Sequence, residues 1–269
     1  MNILIIGAGN MGLTYGQSFI DASAIGTGQL YFLDRTDLRQ AEVQRLSAHP
    51  LATQPDAFIR DMDLVIVAVK PQDFKALAAS IKPFLRPHQL ILSVMAGISV
   101  ETLRGQFGAA KVVRAMPNLP AQVGQGMTVF TASAEVSRLE IFTVQNLLST
   151  TGKTLYVEKE PLLDAATAIS GSGPAFVFYF MEAMMQAGRQ MGFSESEAQL
   201  LVRQTFLGSL DLLHRNSLHC GEWIRRVSSK GGTTEAALAS YAAAGLQEAI
   251  TAGLEAARQR AVELSGQAS

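Results

Sequence analysis

Short apolar runs recur along the first 157 positions, each closed by a polar, glycine or proline residue. They fall at Ile3 to Ile6, Leu30 to Leu33, Asp63 to Val69, Gln89 to Ser93 and Lys111 to Ala115. Runs of this kind read as strands buried on both faces, as in a parallel sheet. Met127 to Phe130 and Thr154 to Val157 read as further strands. The segments between them read as helices: about 10–22, a polar stretch ending near 47, 71–83, a short one ending near 107, and 135–148. Strand and helix alternating at this spacing predict an α/β, Rossmann-type doubly wound sheet.

The pattern changes near residue 158, beyond which no convincing strand follows. Helices are expected at 164–169, 174–191 and 195–213, from about 222, from about 233, and at 245–264. Ser194 with Glu197 forms a capping box for the third of these. The expected division is therefore a dinucleotide-binding domain over 1–158 and an all-α domain over 159–269, its tail from Ser265 to Ser269 frayed. The stretch from Ala175 to Met191 spreads Phe176, Phe178, Phe180, Met181, Met184 and Met185 around most of a helix. Such a helix needs burial on all sides, which a small helical domain cannot supply alone. A homodimer or larger assembly is expected.

The first strand runs into Gly7-Ala-Gly9-Asn-Met-Gly12, a G-x-G-x-x-G opening a helix. The first glycine permits the tight turn, the second admits a pyrophosphate, and the third lets helix and strand pack closely. The helix start then presents free N–H groups and a positive dipole end. Asp34 ends the next strand about 20 residues later, where an adenosine ribose contact is expected. Arg35 and Thr36 beside it suit a 2′-phosphate, so the signals for NADH and NADPH conflict.

With 48% hydrophobic and 17% charged residues the chain suits a well-buried globular protein, not a disordered one. A formal net charge of −1 and the lack of a basic run argue against nucleic acid. The single cysteine, Cys220, cannot form an internal disulfide and fits a reducing cytoplasm. No signal peptide is expected, because the N-terminus lacks a basic region. The stretch from Ala175 to Met191 carries Glu182 and Arg189 and is too short to span a membrane comfortably. The four histidines are scattered and there is no C-x-x-C or H-E-x-x-H, so no metal site is expected.

Four further segments are candidates for chemistry. Val69-Lys70-Pro71 and Arg114-Ala-Met-Pro117-Asn118 follow strand ends, where open α/β sheets bind ligands. Lys70 is placed to meet cofactor or carboxylate, unless it is only a solvated strand end. Asn118 offers a donor and an acceptor to a nicotinamide carboxamide, unless its segment is a rigid connector. Ser170-Gly-Ser172-Gly-Pro174 either caps the next helix or leaves donors for an anion. Ser229-Lys-Gly231-Gly-Thr233-Thr234 joins a hydroxyl-rich loop to a helix start and reads as a carboxylate cradle, or else as a threonine N-cap.

Together these segments resemble the pyrroline-5-carboxylate reductase family along nearly the whole chain. The carrying residues are Gly7-Ala-Gly-Asn-Met-Gly12, Ala68-Val-Lys-Pro71, Arg114-Ala-Met-Pro-Asn118, the run from Asp164 to Ala175, and Gly231-Gly-Thr-Thr234. The resemblance implies reduction of the cyclic imine 1-pyrroline-5-carboxylate to L-proline with NADPH or NADH. It also implies a helical C-terminal dimerisation domain and a homodimer or a dimer-based ring such as a decamer. It gives the Gly231–Thr234 loop the substrate carboxylate and Thr234 the ring nitrogen, making Thr234 the expected catalytic residue. The expected substrate set is Ser172, Ser229, Lys230, Gly231, Gly232, Thr233 and Thr234. The expected cofactor set is Gly7, Gly9, Asn10, Met11, Gly12, Asp34, Arg35, Thr36, Val69, Lys70, Pro71, Ala96, Met116, Pro117 and Asn118. Lys230 stands where the family usually has proline, and Cys220 where it tends to have proline. A reductase of a related imino acid is one alternative, and a β-hydroxyacid dehydrogenase-like enzyme another. The latter group typically needs a lysine after a glycine-rich helix start, and Pro174 to Phe180 offers none.

Overall fold

The computed structural model describes residues 1–267. The strands are β1 (Ile3–Ile6), β2 (Leu30–Leu33), β3 (Leu64–Val67), β4 (Leu90–Ser93), β5 (Val112–Met116), β6 (Gly126–Ala132) and β7 (Gly152–Tyr156). They form one sheet in the order β2-β1-β3-β4-β5-β6-β7. The first five are parallel. β6 runs antiparallel to β5, and β7 parallel to β6. The reversal, which the apolar runs did not signal, has a simple cause. Only residues 117–125 join β5 to β6, and a parallel crossover needs about a dozen residues or more.

Successive side chains of a strand face opposite sides, and β1 shows the result. Ile3 and Ile5 join Tyr15 and Phe19 of α1 (Asn10–Asp21), Val43 of α2 (Gln40–Leu46) and Val144 of α5 (Arg138–Ser149). Leu4 and Ile6 join Phe74 and Ile81 of α3 (Phe74–Ile81) with Leu103 and Phe107 of α4 (Val100–Phe107). The sheet is thus covered on both faces, as its unbroken apolar strands require. The helix expected over 71–83 is shorter at both ends. Pro71–Asp73 and Lys82–Phe84 are 3₁₀ turns, each with a proline in its first two positions.

Residues 1–172 pack as one unit together with the end of the last helix from Ala256, and Gly173–Glu255 as a second. The packing break therefore falls later than the expected 158/159 boundary. The reason is α6 (Pro161–Ala166), which buries Leu163 and Asp164 in the first unit. Arg114 on β5 anchors it through Glu160 and Asp164.

The second unit holds α7 (Gly173–Gln190), α8 (Glu195–Arg215), α9 (Cys220–Val227), α10 (Thr233–Ala243) and the start of α11 (Leu246–Gln267). The capping box of α8 forms as expected, Ser194 Oγ accepting from the Glu197 N–H. Among the described residues of this unit only Ala198 and Val202 are buried. Phe178, Tyr179, Leu200 and Leu207 are each more than half exposed. No described helix is long and apolar enough to cross a membrane. The expected frayed tail is corrected at Ser265, which lies within α11 and donates its hydroxyl to Asp164. Positions 268 and 269 lie outside the described residues.

Candidate functional site

Of the three glycines in the turn after β1, two are sterically required by the fold and one is not. Gly7 has φ +102°, and a Cβ on it would lie 2.8 Å from the Ala68 carbonyl oxygen. A Cβ on Gly12 would collide with the Gly7 carbonyl. Gly9 differs: a Cβ there would meet nothing within 4 Å, and its φ of −75° suits any residue. The fold therefore does not need Gly9. What it preserves is open space at the N-terminus of α1, whose first helical bond runs from Leu13 N to Gly9 O. The amides ahead of Leu13 have no partner within the helix and face an anion-binding position.

A cleft of about 580 Å³ opens beside this turn. Gly7, Gly9, Asp34, Arg35, Thr36, Val69 and Lys70 all contribute to its wall. These residues follow the C-terminal ends of β1, β2 and β3, where strand order reverses about β1. Such a switch point is where a dinucleotide binds an open α/β sheet. Asp34 accepts hydrogen bonds from Ala8 N at 2.7 Å and Thr36 N at 3.2 Å. A carboxylate has about four acceptor positions, so capacity remains for a ribose hydroxyl. Arg35 Nη1 pairs with Asp73 Oδ1 at 3.1 Å. Open space at Gly9, free amides at a helix start and a held carboxylate at the second strand end fit a dinucleotide.

Other expected cofactor residues stand off this cleft. Asn10 lines a separate groove with Thr14 and Gln17, and Met11 packs against the core. Gly12 is buried under the turn, its role structural. Pro71 starts a 3₁₀ turn. Ala96 follows β4, Met116 ends β5, and Pro117 is buried. Asn118 corrects the expectation of a carboxamide free at both ends. Its Nδ2 donates to Ser170 O at 3.0 Å and its Oδ1 accepts from Met127 N at 2.9 Å. The amide ties together segments on either side of it, leaving one N–H for any ligand.

The serine-glycine segment is also corrected. Residues 167–171 form a π-turn, with Ser172 N donating to Thr167 O at 2.8 Å. Ser170 Oγ donates back to Ala166 O at 2.9 Å, so it caps nothing. π-turns of this kind are frequent at functional sites. Ser172 retains a hydroxyl that no described residue engages.

Sequence reasoning placed Arg114 and Asp164 in candidate segments but missed the ion pairs through which Arg114 fixes this region. Arg114 is 3% exposed and reaches Glu160 at 2.9 Å and Asp164 at 3.0 Å. Glu160 also accepts from Val100 N at 2.8 Å. The signal available was an arginine inside a strand otherwise apolar, which must find buried partners.

In the second unit the loop before α10 has the freedom its glycines promised. Gly231 is left-handed, φ +70°. Gly232 donates its N–H to Ser229 O at 3.0 Å and is the N-cap of α10 without a side-chain cap. The threonine-cap reading is therefore corrected. Thr233 and Thr234 occupy the first helical turn, and no described residue bonds their hydroxyls. Lys230 is exposed. One donor is already in use: Gly231 N–H donates to Glu235 Oε2 at 2.5 Å. A carboxylate is thus seen seated on the loop, though it is the protein's own.

Comparison with known proteins adds to this geometry. Residues 160–264 match a family model described as pyrroline-5-carboxylate reductase dimerisation, and 3–137 one described as ketopantoate reductase PanE/ApbA. A pyrroline-5-carboxylate reductase of Pseudomonas aeruginosa is 37% identical over 98% of this chain and 97% of its own. The Plasmodium falciparum pyrroline carboxylate reductase with NADP bound superposes at a TM-score of 0.86, with 26% identity and 98% of each chain covered. The 1-pyrroline-5-carboxylate reductase of Streptococcus pyogenes gives a TM-score of 0.84 and 31% identity, also over 98% of each chain.

Proposed function

The chain belongs to the pyrroline-5-carboxylate reductase family, and from that premise we propose that it reduces 1-pyrroline-5-carboxylate to L-proline with NADPH or NADH. The end-to-end match to reductases of that name carries this reading. The dinucleotide, when bound, supplies the hydride. The glycine turn and the start of α1 hold its pyrophosphate, and Asp34 its adenosine ribose. Of the expected cofactor residues, those on the cleft wall have the strongest support.

The substrate is an iminium whose nitrogen already carries a proton, so its carbon is strongly electrophilic. The protein therefore needs to orient and stabilise more than to donate acid. Free amides in the first turn of α10, with the hydroxyls of Ser229, Thr233 and Thr234, suit the substrate carboxylate and ring nitrogen; the Gly232 amide is held by Ser229 O. Lys230 adds a cation beside the loop; Ser172, in the first unit, keeps a hydroxyl free for a ligand. Glu235 sits on the Gly231 amide where a substrate carboxylate would bind, so substrate binding displaces it. An alcohol–ketone oxidoreduction needs a proton relay, and the loop's hydroxyls offer no group of suitable acidity.

The helical segment 159–269 serves substrate binding and dimerisation. The exposed apolar side chains of α7 and α8 support a homodimer at least, and a dimer-based ring such as a decamer is the fuller assembly. A lone exposed Cys220 suits a reducing cytoplasm. The test is oxidation of NAD(P)H with a panel of cyclic imino acids and hydroxy acids, with light scattering on the same sample. Turnover of hydroxy acids alone, or a stable monomer at micromolar concentration, would overturn the respective parts.

A further inference from the structure

Arg35 is the residue placed to bind a 2′-phosphate on the ribose, yet its guanidinium is engaged. Nη1 sits 3.1 Å from Asp73 Oδ1, although Arg35 itself is largely exposed, its side chain at 76%. Asp73 closes the 3₁₀ turn that follows β3 and lines the same cleft as Asp34 and Arg35. The cleft wall thus carries two cations, Arg35 and Lys70, and two carboxylates, Asp34 and Asp73. Asp34 is held on the glycine turn by two backbone amides and cannot swing away without losing them.

We infer that Asp73 is a specificity-determining residue that biases this cleft toward the dinucleotide with a free 2′-hydroxyl. It acts in two ways. It occupies the guanidinium that a 2′-phosphate would need, and it adds a second carboxylate against a group carrying close to two negative charges. A free ribose hydroxyl meets neither obstacle and gains Asp34 as acceptor. The inference rests on the cleft being the dinucleotide site.

The pair is exposed, and exposed pairs are weak, so the bias is graded and not absolute. Asp73→Asn should leave ADP-ribose binding unchanged and tighten 2′-phospho-ADP-ribose by ~5-fold or more, measured by calorimetry at low salt. The gain should vanish in Asp73→Asn combined with Arg35→Ala. With whole cofactors, the kcat/KM ratio of NADPH to NADH should rise in parallel. Unchanged ADP-ribose binding also reports an intact fold. An unaltered ratio of the two fragment affinities would overturn the role of Asp73. If neither fragment binds the parent protein, the cleft itself is misassigned, and the failure lies in the dinucleotide reading.

Discussion

The Asp34 carboxylate accepts the Ala8 backbone N–H at 2.7 Å, so one charged side chain joins the end of β2 to the glycine turn after β1. Asp34 thereby shapes the turn, and in the proposed dinucleotide site its charge would also oppose a 2′-phosphate. Asparagine keeps an acceptor for Ala8 but loses the charge. Asp34→Asn should raise the kcat/KM ratio of NADPH to NADH by ~5-fold or more, with stability lowered by at most about 1 kcal/mol. Steady-state kinetics with both cofactors check this, and a ratio that stays put or falls would mean Asp34 does not face the ribose.

Gly9 and Gly12 should fail in different ways when substituted. A Cβ at Gly9 meets nothing within 4 Å, whereas one at Gly12 strikes the Gly7 carbonyl. Gly9→Val should fold with stability within about 1 kcal/mol of the parent and bind NAD(P)H at least ~100-fold more weakly. Gly12→Ala should instead lose roughly 3 kcal/mol of stability, because backbone must move. Fluorescence titration and urea denaturation on the two variants separate the effects. Equal cofactor affinity in Gly9→Val and parent would contradict the pyrophosphate assignment.

These cases show what the residue pattern made legible. Apolar runs placed all seven strands; β1, β3 and β4 are buried throughout and leave a continuous signal, whereas β7 at the sheet edge has no buried residue. The glycine turn and Asp34 were legible because their spacing follows from covalent geometry. The reversal at β6 was not, since direction depends on linker length and not on apolar pattern. Asp73 and Glu235 were also invisible. Each works through a contact made by a turn, Asp73 to Arg35 and Glu235 to Gly231. Asn118 reads as a ligand contact in the sequence and in the structure also braces two segments, because a carboxamide serves both uses equally well.

Tyr15 offers a test of the core beneath the site. Its hydroxyl is buried without a hydrogen-bond partner among the described residues. Burial pushes its pKa from 10.0 up to about 12, with the Thr128 and Thr151 hydroxyls nearby offsetting part of the rise. Below pH 10 both folded and unfolded chains keep the proton, and this contribution is constant. Between about pH 10 and 12 the unfolded chain releases it while the folded chain holds it, so stability falls. Two units correspond to about 3 kcal/mol. Tyr15→Phe should be neutral, or up to about 1 kcal/mol more stable, at pH 7. It should also lose that part of the alkaline decline. Urea denaturation of both proteins from pH 8 to 12 decides it, and parallel curves would show that Tyr15 does not titrate late.

The loop before α10 is where structure most sharpens the choice between scaffold and site. Gly232 is the N-cap, and the Thr234 hydroxyl has no described partner, so it contributes nothing to capping. Thr234→Val keeps the shape and removes only that hydroxyl. If the hydroxyl holds the imine nitrogen, kcat/KM for pyrroline-5-carboxylate should fall ~10-fold or more, at least ~1.4 kcal/mol of transition-state stabilisation. NAD(P)H affinity should hardly change, and stability should shift by no more than about 0.5 kcal/mol, as for a surface residue. Lys230→Pro supplies the contrast. It leaves the nitrogen contact intact and removes a flexible cation near the carboxylate, so its effect should appear in KM more than in kcat. Near-normal kinetics for Thr234→Val would remove Thr234 from the reaction. A lost melting temperature alongside them would show that the free hydroxyl has a structural partner after all.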